Sequence, residues 1–217
     1  MNCSCIRSQI LLDIYQQYLM NADINEFEQR VKQFYSLGTL ERLLNHSNPK
    51  VRRGAILALG LVGEYSSNVR LASILPYCDR VTSLLAENAL RLIWRRNGDS
   101  SDRETLQGII RMNAEGEHWK AITYASLQLE RTPDFAEVWF QRASAWFMEG
   151  KFRFAIEDLL KTVELNPFHF QAYVMLGNAY MEIGKTSQAL RAFRNALDIN
   201  PSLKKAQSFR NFRQRLS

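Results

Sequence analysis

Apolar side chains in this 217-residue chain recur every three or four positions, the spacing that gathers them on one side of a helix. Leu40, Leu43 and Leu44 make a short stripe, and Val51, Ala55, Ile56, Leu59 and Val62 a longer one. Asn48-Pro49 between them predicts a helix start, with Asn48 as N-cap and Pro49 in the first helical position, where its missing N–H is not needed. A looser copy follows. One helix is expected over 69–77, ended by Pro76, and a second over 80–96, with Asp79 as N-cap and Gly98 as terminator. Leu84, Leu85, Ala89, Leu92 and Ile93 would form the apolar side of the second. Ahead of these, 6–20 and 24–37 are amphipathic, and Asp23 or Asn25 could cap the latter.

From about residue 102 the pattern acquires a fixed period. Pro133, Pro167 and Pro201 are 34 residues apart; so are Gly116, Gly150 and Gly184, and Ala121, Ala155 and Ala189. Each proline closes a helical run, and each glycine falls where two helices would turn. The small residue lets the second helix of a hairpin lie close to the first. The last unit reads Tyr173, Leu176, Gly177, Tyr180, Gly184, Ala189, Phe193, Ala196, Pro201, and the one before it Trp139, Ala143, Trp146, Gly150, Phe152, Ala155, Leu159, Pro167.

These residues resemble the tetratricopeptide repeat over about 102–201, closely in the last unit. The first unit departs most: Gly108 and Ile109 stand where the family has a large residue then a small one, and Ala125 where it has an aromatic. Upstream, the string LERLLNHSNPKVRRGAILALGLVGE resembles one HEAT repeat, and 69–97 a degenerate second. Together with RLIWRRNGD, FAEVWFQRASAWF and LNPFHF, the order of parts resembles small bacterial proteins that join the two repeat types.

The implied fold is all-α: an α-solenoid, a right-handed superhelix of helical hairpins. Its expected parts are N-terminal helices over 1–37 (an eroded HEAT hairpin or cap), HEAT-like repeats over 38–98, and three tetratricopeptide units over 99–201. The units fall at about 102–135, 136–169 and 170–203. A basic capping helix over 202–217 follows, with Leu203, Ala206, Phe209, Phe212 and Leu216 apolar, because a terminal repeat otherwise exposes its stacking face. Asn97 to Asp102 is the only polar break, so one continuous rod is expected.

Charge sharpens the picture only at the end. The chain carries +6, yet 202–217 alone hold Lys204, Lys205, Arg210, Arg213 and Arg215 without an acid, leaving 1–201 nearly neutral. A weak basic patch of Arg52, Arg53, Arg91, Arg95, Arg96, Lys204, Lys205, Arg210 and Arg213 is the one feature that would suit nucleic acid, and phosphate tracking asks for a longer positive stripe. Three cysteines, Cys3, Cys5 and Cys78, make no disulfide framework and suit a reducing compartment. The longest apolar run, 55–63, is too short for a bilayer, and without a signal peptide the cytoplasm is expected.

No catalytic constellation is found, so the chain is expected not to be an enzyme and to need no cofactor or metal. His46, His118 and His169 lie in different repeats, and Glu157 and Asp158, being adjacent, face different directions on a helix. All five are expected on solvated surface. What the repeat resemblance implies instead is a binding surface for a protein or peptide. In that family the first helix of each hairpin lines the concave face. Carried over, those positions are Arg103, Leu106, Ile110 and Asn113; Glu137, Phe140, Ser144, Phe147 and Met148; Gln171, Val174, Asn178 and Met181. Family members that grip acidic chaperone tails use Lys, Asn and Arg there, so that carboxylate clamp is missing here. The lining suits an amphipathic helix or an extended apolar segment. Three alternatives stay open: a neighbouring helix or second copy covers Phe140, Phe147 and Val174; a HEAT-like basic face holds nucleic acid; or the chain is an accessory subunit of an enzyme complex.

Overall fold

The computed structural model describes residues 3–205, with side chains described from Ile6 to Leu203. Twelve α-helices and no strand are found among the described residues. The chain divides into two compact units, Met1–Ile93 and Trp94–Ser217.

The first unit contains α1 (Cys3–Asn21), α2 (Ile24–Phe34), α3 (Leu37–Leu43), α4 (Pro49–Val62), α5 (Asn68–Ile74) and most of α6 (Arg80–Trp94). Its boundaries are set by caps legible in the sequence. Asp23 accepts from the backbone N–H groups of Asn25 and Glu26, so Asp23 rather than Asn25 caps α2. Asn48 accepts from Lys50 N ahead of Pro49. The Asp79 carboxylate takes Val81 N at 3.0 Å and Thr82 N at 3.1 Å, opening α6. Leu11, Ile14, Phe27, Val31, Leu40, Val51, Ile56 and Leu59 are buried where α1, α2 and α3 pack against α4.

Two expectations here need correction. Pro76 does not close one long helix: α5 stops at Ile74, and Leu75–Tyr77 form a separate 3₁₀ turn. The apolar side of α6 is also rotated. Leu84 and Leu92 are exposed, and the buried stripe is Thr82, Ala86, Ala89, Leu90 and Ile93. Two hydroxyl-bearing residues, Thr82 and Ser83, disguised that stripe, because Thr82 is buried on account of its bonds to Asp79 and Arg53, not of its hydropathy.

The second unit consists of Trp94 and three antiparallel hairpins: α7 (Ser100–Ala114) with α8 (His118–Arg131), α9 (Ala136–Met148) with α10 (Phe152–Leu165), and α11 (Phe170–Glu182) with α12 (Thr186–Ile199). The period is visible in the backbone. Gly116, Gly150 and Gly184 have φ of +80°, +68° and +73°, and Glu117 N, Lys151 N and Lys185 N donate back to Met112 O, Trp146 O and Tyr180 O. This is the Schellman closure, in which a left-handed residue turns the chain and satisfies orphan carbonyls. Ala121, Ala155 and Ala189 are fully buried at the hairpin crossings. Gly177 makes the tightest crossing: a Cβ there would lie 2.6 Å from the Phe193 ring. Phe193 is one of the largest fully buried side chains, so a bulkier residue at 177 would have to displace it.

After α12, Pro201–Lys205 form a 3₁₀ turn, and half-buried Leu203 packs on the cluster around Phe193. The rest of the expected capping helix, with Arg210 and Arg213, lies outside the described residues, as do the side chains of Lys204 and Lys205.

Candidate functional site

The first helices of the three hairpins, α7, α9 and α11, carry the expected partner-facing positions, and burial sorts them into two groups. Leu106 is only 1% exposed and sits in the core cluster with Ile109, Ile122 and Phe135, so it offers nothing to a ligand. Phe140 and Phe147 are half-buried and pack with Ala143, Leu159, Ala172 and Leu176. The Phe140 ring lies 4.5 Å from that of His169, and Phe147 meets Phe152 edge-on at 5.2 Å. These rings support the hairpins as well as lining a face. Asn113 is tied down, its amide donating to Gln141 O at 2.9 Å and Gln141 Oε1 at 3.1 Å. Ile110, Ser144, Val174, Asn178 and Met181 are partly open, and Met148 is 65% exposed.

Asn113 and Glu137 were expected on this face, but their linkage to Gln141 and His169 was not legible in the sequence. Glu137 and His169 are both buried. The Nδ1 of His169 accepts from Ala172 N at 3.1 Å, capping α11. In the neutral ring the proton therefore sits on Nε2, which donates to Glu137 Oε2 at 3.2 Å. The other Glu137 oxygen accepts from Gln141 Nε2 at 2.9 Å and has Arg95 Nε at 3.9 Å. Asn113, Gln141, Glu137 and His169 thus form a chain of hydrogen bonds from α7 across α9 to α11. On the same face Trp94 is almost fully buried. Its indole stacks on His169 at 4.2 Å and is tilted against Phe170 at 5.5 Å. Part of the surface expected to meet a partner is therefore occupied by the chain's own Trp94 and Arg95.

The expectation of a solvated surface falls for four residues. His169 is not solvated but 0% exposed. The 34-residue register could have flagged it, since the equivalent positions are Phe135 and Leu203, both apolar. Asp158 is buried as well: Arg142 Nε and Nη2 grip its two oxygens at 2.8 and 2.7 Å. Burial pushes this carboxyl above its ordinary value, and Arg142 pulls it back. Ser126 Oγ accepts from Arg142 Nη1 at 3.0 Å, and the Trp139 ring lies under the guanidinium at 4.8 Å. His118 is only partly exposed and its Nδ1 is buried, against the same expectation. His46 is partly buried too.

The basic patch is largely engaged internally. Arg52 holds His46 O and Ser47 O, Arg53 pairs with Asp79 at 3.1 Å, Arg91 with Glu87 at 3.3 Å, and Arg95 approaches Glu137. Arg96 also has an interaction partner. Among the described residues no group of three His, Cys, Asp or Glu is placed to hold a metal ion, and no helix is long and apolar enough to cross a membrane.

Residues 170–203, which form α11 and α12 and the turn after them, match the Tetratricopeptide repeat family model. A TPR repeat-containing protein of Rhizobium etli is 26% identical over 129 residues, covering 59% of this chain and 62% of that protein. Anaphase-promoting complex subunit 3 of Dictyostelium discoideum is 31% identical over 78 residues, 36% of this chain and 8% of that one. The chain thus spans less than two thirds of either relative. Among solved structures, MamA 41-end from Desulfovibrio magneticus RS-1 aligns with a TM-score of 0.43 at 15% identity, covering 90% of this chain and 96% of that one. The TPR2AB-domain:pHSP90-complex of yeast Sti1 aligns at 0.48 and 15%, covering 95% and 96%.

Proposed function

We propose that this protein is a non-catalytic scaffold whose α7, α9 and α11 face binds an apolar or amphipathic helical segment of another protein. The observation that carries this is the seat of Trp94. The face already buries an indole against His169 and Phe170, with Phe140 against the same imidazole and an arginine beside a buried glutamate. A partner helix with aromatic or aliphatic anchors would continue along the open part of the face, past Ser144, Val174, Asn178, Met181 and Met148. Thioether side chains at two of these positions adapt to different anchors. α7–α10 are read as two further tetratricopeptide units, and α3–α6 as HEAT-type hairpins that extend the scaffold. The cytoplasm remains the proposed compartment. Internal pairing of Arg53, Arg91 and Arg95 leaves little free charge for a phosphate backbone, which speaks against the nucleic-acid alternative.

Because Phe140 and Phe147 also support the core, the informative substitutions are Ser144→Arg with Asn178→Arg. These equivalent, partly open positions on neighbouring first helices would each receive a bulky cation in an apolar groove. Helical peptides selected by display on the unaltered protein are expected to bind the double variant at least tenfold more weakly, about 1.4 kcal/mol, by fluorescence polarisation. The melting temperature should stay within a few degrees. Equal affinity for both proteins would place the peptides elsewhere and remove the proposal.

A further inference from the structure

A cavity of about 510 Å³ in the first unit is walled by Arg7, Thr39, Arg42, Leu43 and the loop residues 45–47. It plays no part in the scaffold proposal. The volume falls within the range of small-ligand pockets. Arg7 comes from α1, Arg42 from α3, and residues 45–47 from the loop before α4. Arg7 Nη1 donates to Thr39 Oγ1 at 3.4 Å, and Arg42 Nη2 donates to the same oxygen at 3.2 Å. Thr39 is 5% exposed, and Ser36 Oγ lies 3.0 Å from its hydroxyl. A hydroxyl oxygen has two lone pairs; with both taken by guanidinium groups, its own proton goes to Ser36.

Two cations are therefore held within about two hydrogen-bond lengths of each other, on one neutral atom. Neither forms an ion pair among the described residues. Asp13 accepts from Gln9 and Glu41 from Ser67, and neither carboxylate comes within ion-pair distance of the two guanidinium groups. Apart from apolar Leu43, the remaining wall adds donors. His46 Nδ1 accepts from Asn48 N at 3.1 Å, so the neutral ring carries its proton on Nε2. Arg52 fixes the loop by donating to His46 O at 2.8 Å and Ser47 O at 2.9 Å. Arg7 is fixed from the other side, because the Tyr35 hydroxyl donates to its carbonyl. Burial pushes that phenol up to about 12, so it remains a donor at neutral pH.

Convergent guanidinium groups without a counter-charge repel each other, and an anion between them relieves the repulsion. Each presents planar N–H pairs that match oxygen pairs of a phosphoryl group, whose charge near −2 balances both. We infer that this cavity binds a dianionic phosphate group, gripped by Arg7 and Arg42 with help from Asn45, His46 and Ser47. The dianion could come from a free phosphate or from a phosphorylated side chain on another chain; the chemistry at the site is the same.

The test uses the full chain with two probes in calorimetric titration: inorganic phosphate, and a short capped peptide carrying one phosphoserine, with its unphosphorylated form as control. Saturable one-site binding is expected, weakened at least tenfold by Arg7→Gln with Arg42→Gln. Both side chains are exposed, so the melting temperature should be unchanged. Asn45→Asp, which puts a negative charge on the exposed loop, should weaken binding in the same way, and it keeps the test decisive if the arginine variant is unstable. Tighter binding of the phosphopeptide identifies a phosphorylated chain as the source, and equal affinity a free phosphate. The inference is overturned if neither probe saturates, if the variants bind as well as the unaltered protein, or if the unphosphorylated peptide binds equally.

Discussion

Arg142→Ala is expected to destabilise the hairpin unit by about 3–5 kcal/mol, because it leaves a buried carboxylate without its partner. Asp158 is 4% exposed and receives two guanidinium hydrogen bonds, while the same arginine bridges to Ser126 and covers the Trp139 ring. Removing Asp158's counter-charge exposes the full cost of its desolvation. Replacing both members of the pair behaves differently. The register of the next hairpin places Leu176 and Ala192 at the equivalent positions, and both are buried there. Arg142→Leu with Asp158→Ala should therefore recover most of the loss, since a buried ion pair is often no more stabilising than a well-packed apolar pair. Urea unfolding of the full chain, followed by circular dichroism, measures both.

The same pair gives a dependence on pH whose sign is fixed. Asp158's folded pKa is raised above its unfolded value, chiefly by burial. The folded state thus holds this proton more tightly, so the group's contribution is fully present below the unfolded pKa and is lost as pH rises through the folded one. In Arg142→Ala the cation that pulls the value back is gone, and the ionised form is costlier still. The deficit of that variant should be largest near pH 7 and shrink as the pH falls toward 4. A deficit independent of pH would mean that lost packing, not the uncompensated charge, causes it.

Trp94→Ala should be comparably damaging, at about 3–5 kcal/mol, the usual range for removing a buried aromatic side chain. Trp94 is 1% exposed, stacked on His169 and tilted against Phe170. The vacancy would lie beside His169 and Phe170, so free indole should bind it and raise the melting temperature of the variant but not of the unaltered protein. A ligand at a hundred times its Kd adds about 2.7 kcal/mol. Trp94→Phe, which keeps a ring, should lose much less. If indole has no effect on the variant, the site has collapsed, and the idea that this face accepts a separate aromatic group loses its main support.

How much of this was legible depends on which interactions set each feature. Local rules wrote the caps and turns: Asp23, Asn48, Asp79, and the glycines at 116, 150 and 184 are where backbone sterics and N–H satisfaction demand those residue types. Gly177 was legible through the repeat, because only a residue without a Cβ leaves room for the Phe193 ring. The polar interior was not. Asp158 and His169 read as solvated surface and Glu137 as groove lining, since hydropathy cannot say that a buried polar group has found a partner on another helix. Arg142–Asp158 spans 16 residues and His169–Glu137 spans 32, beyond any local pattern. Comparison along the repeat register would have flagged Arg142 and His169 as polar residues at apolar positions. Leu106 failed for the opposite reason: the family's ligand-facing position is here filled by the protein's own core.

The central claim is that a partner lies on the α7, α9 and α11 face, and photo-crosslinking in cells that naturally make the protein tests it most directly. A photoreactive phenylalanine analogue would be placed at Asn178 on α11 in one variant and at Leu160 on α10, 46% exposed, in another. Adducts to another protein are predicted from position 178 and not from 160. Adducts from 160 alone would put the partner on the second-helix face and contradict the account.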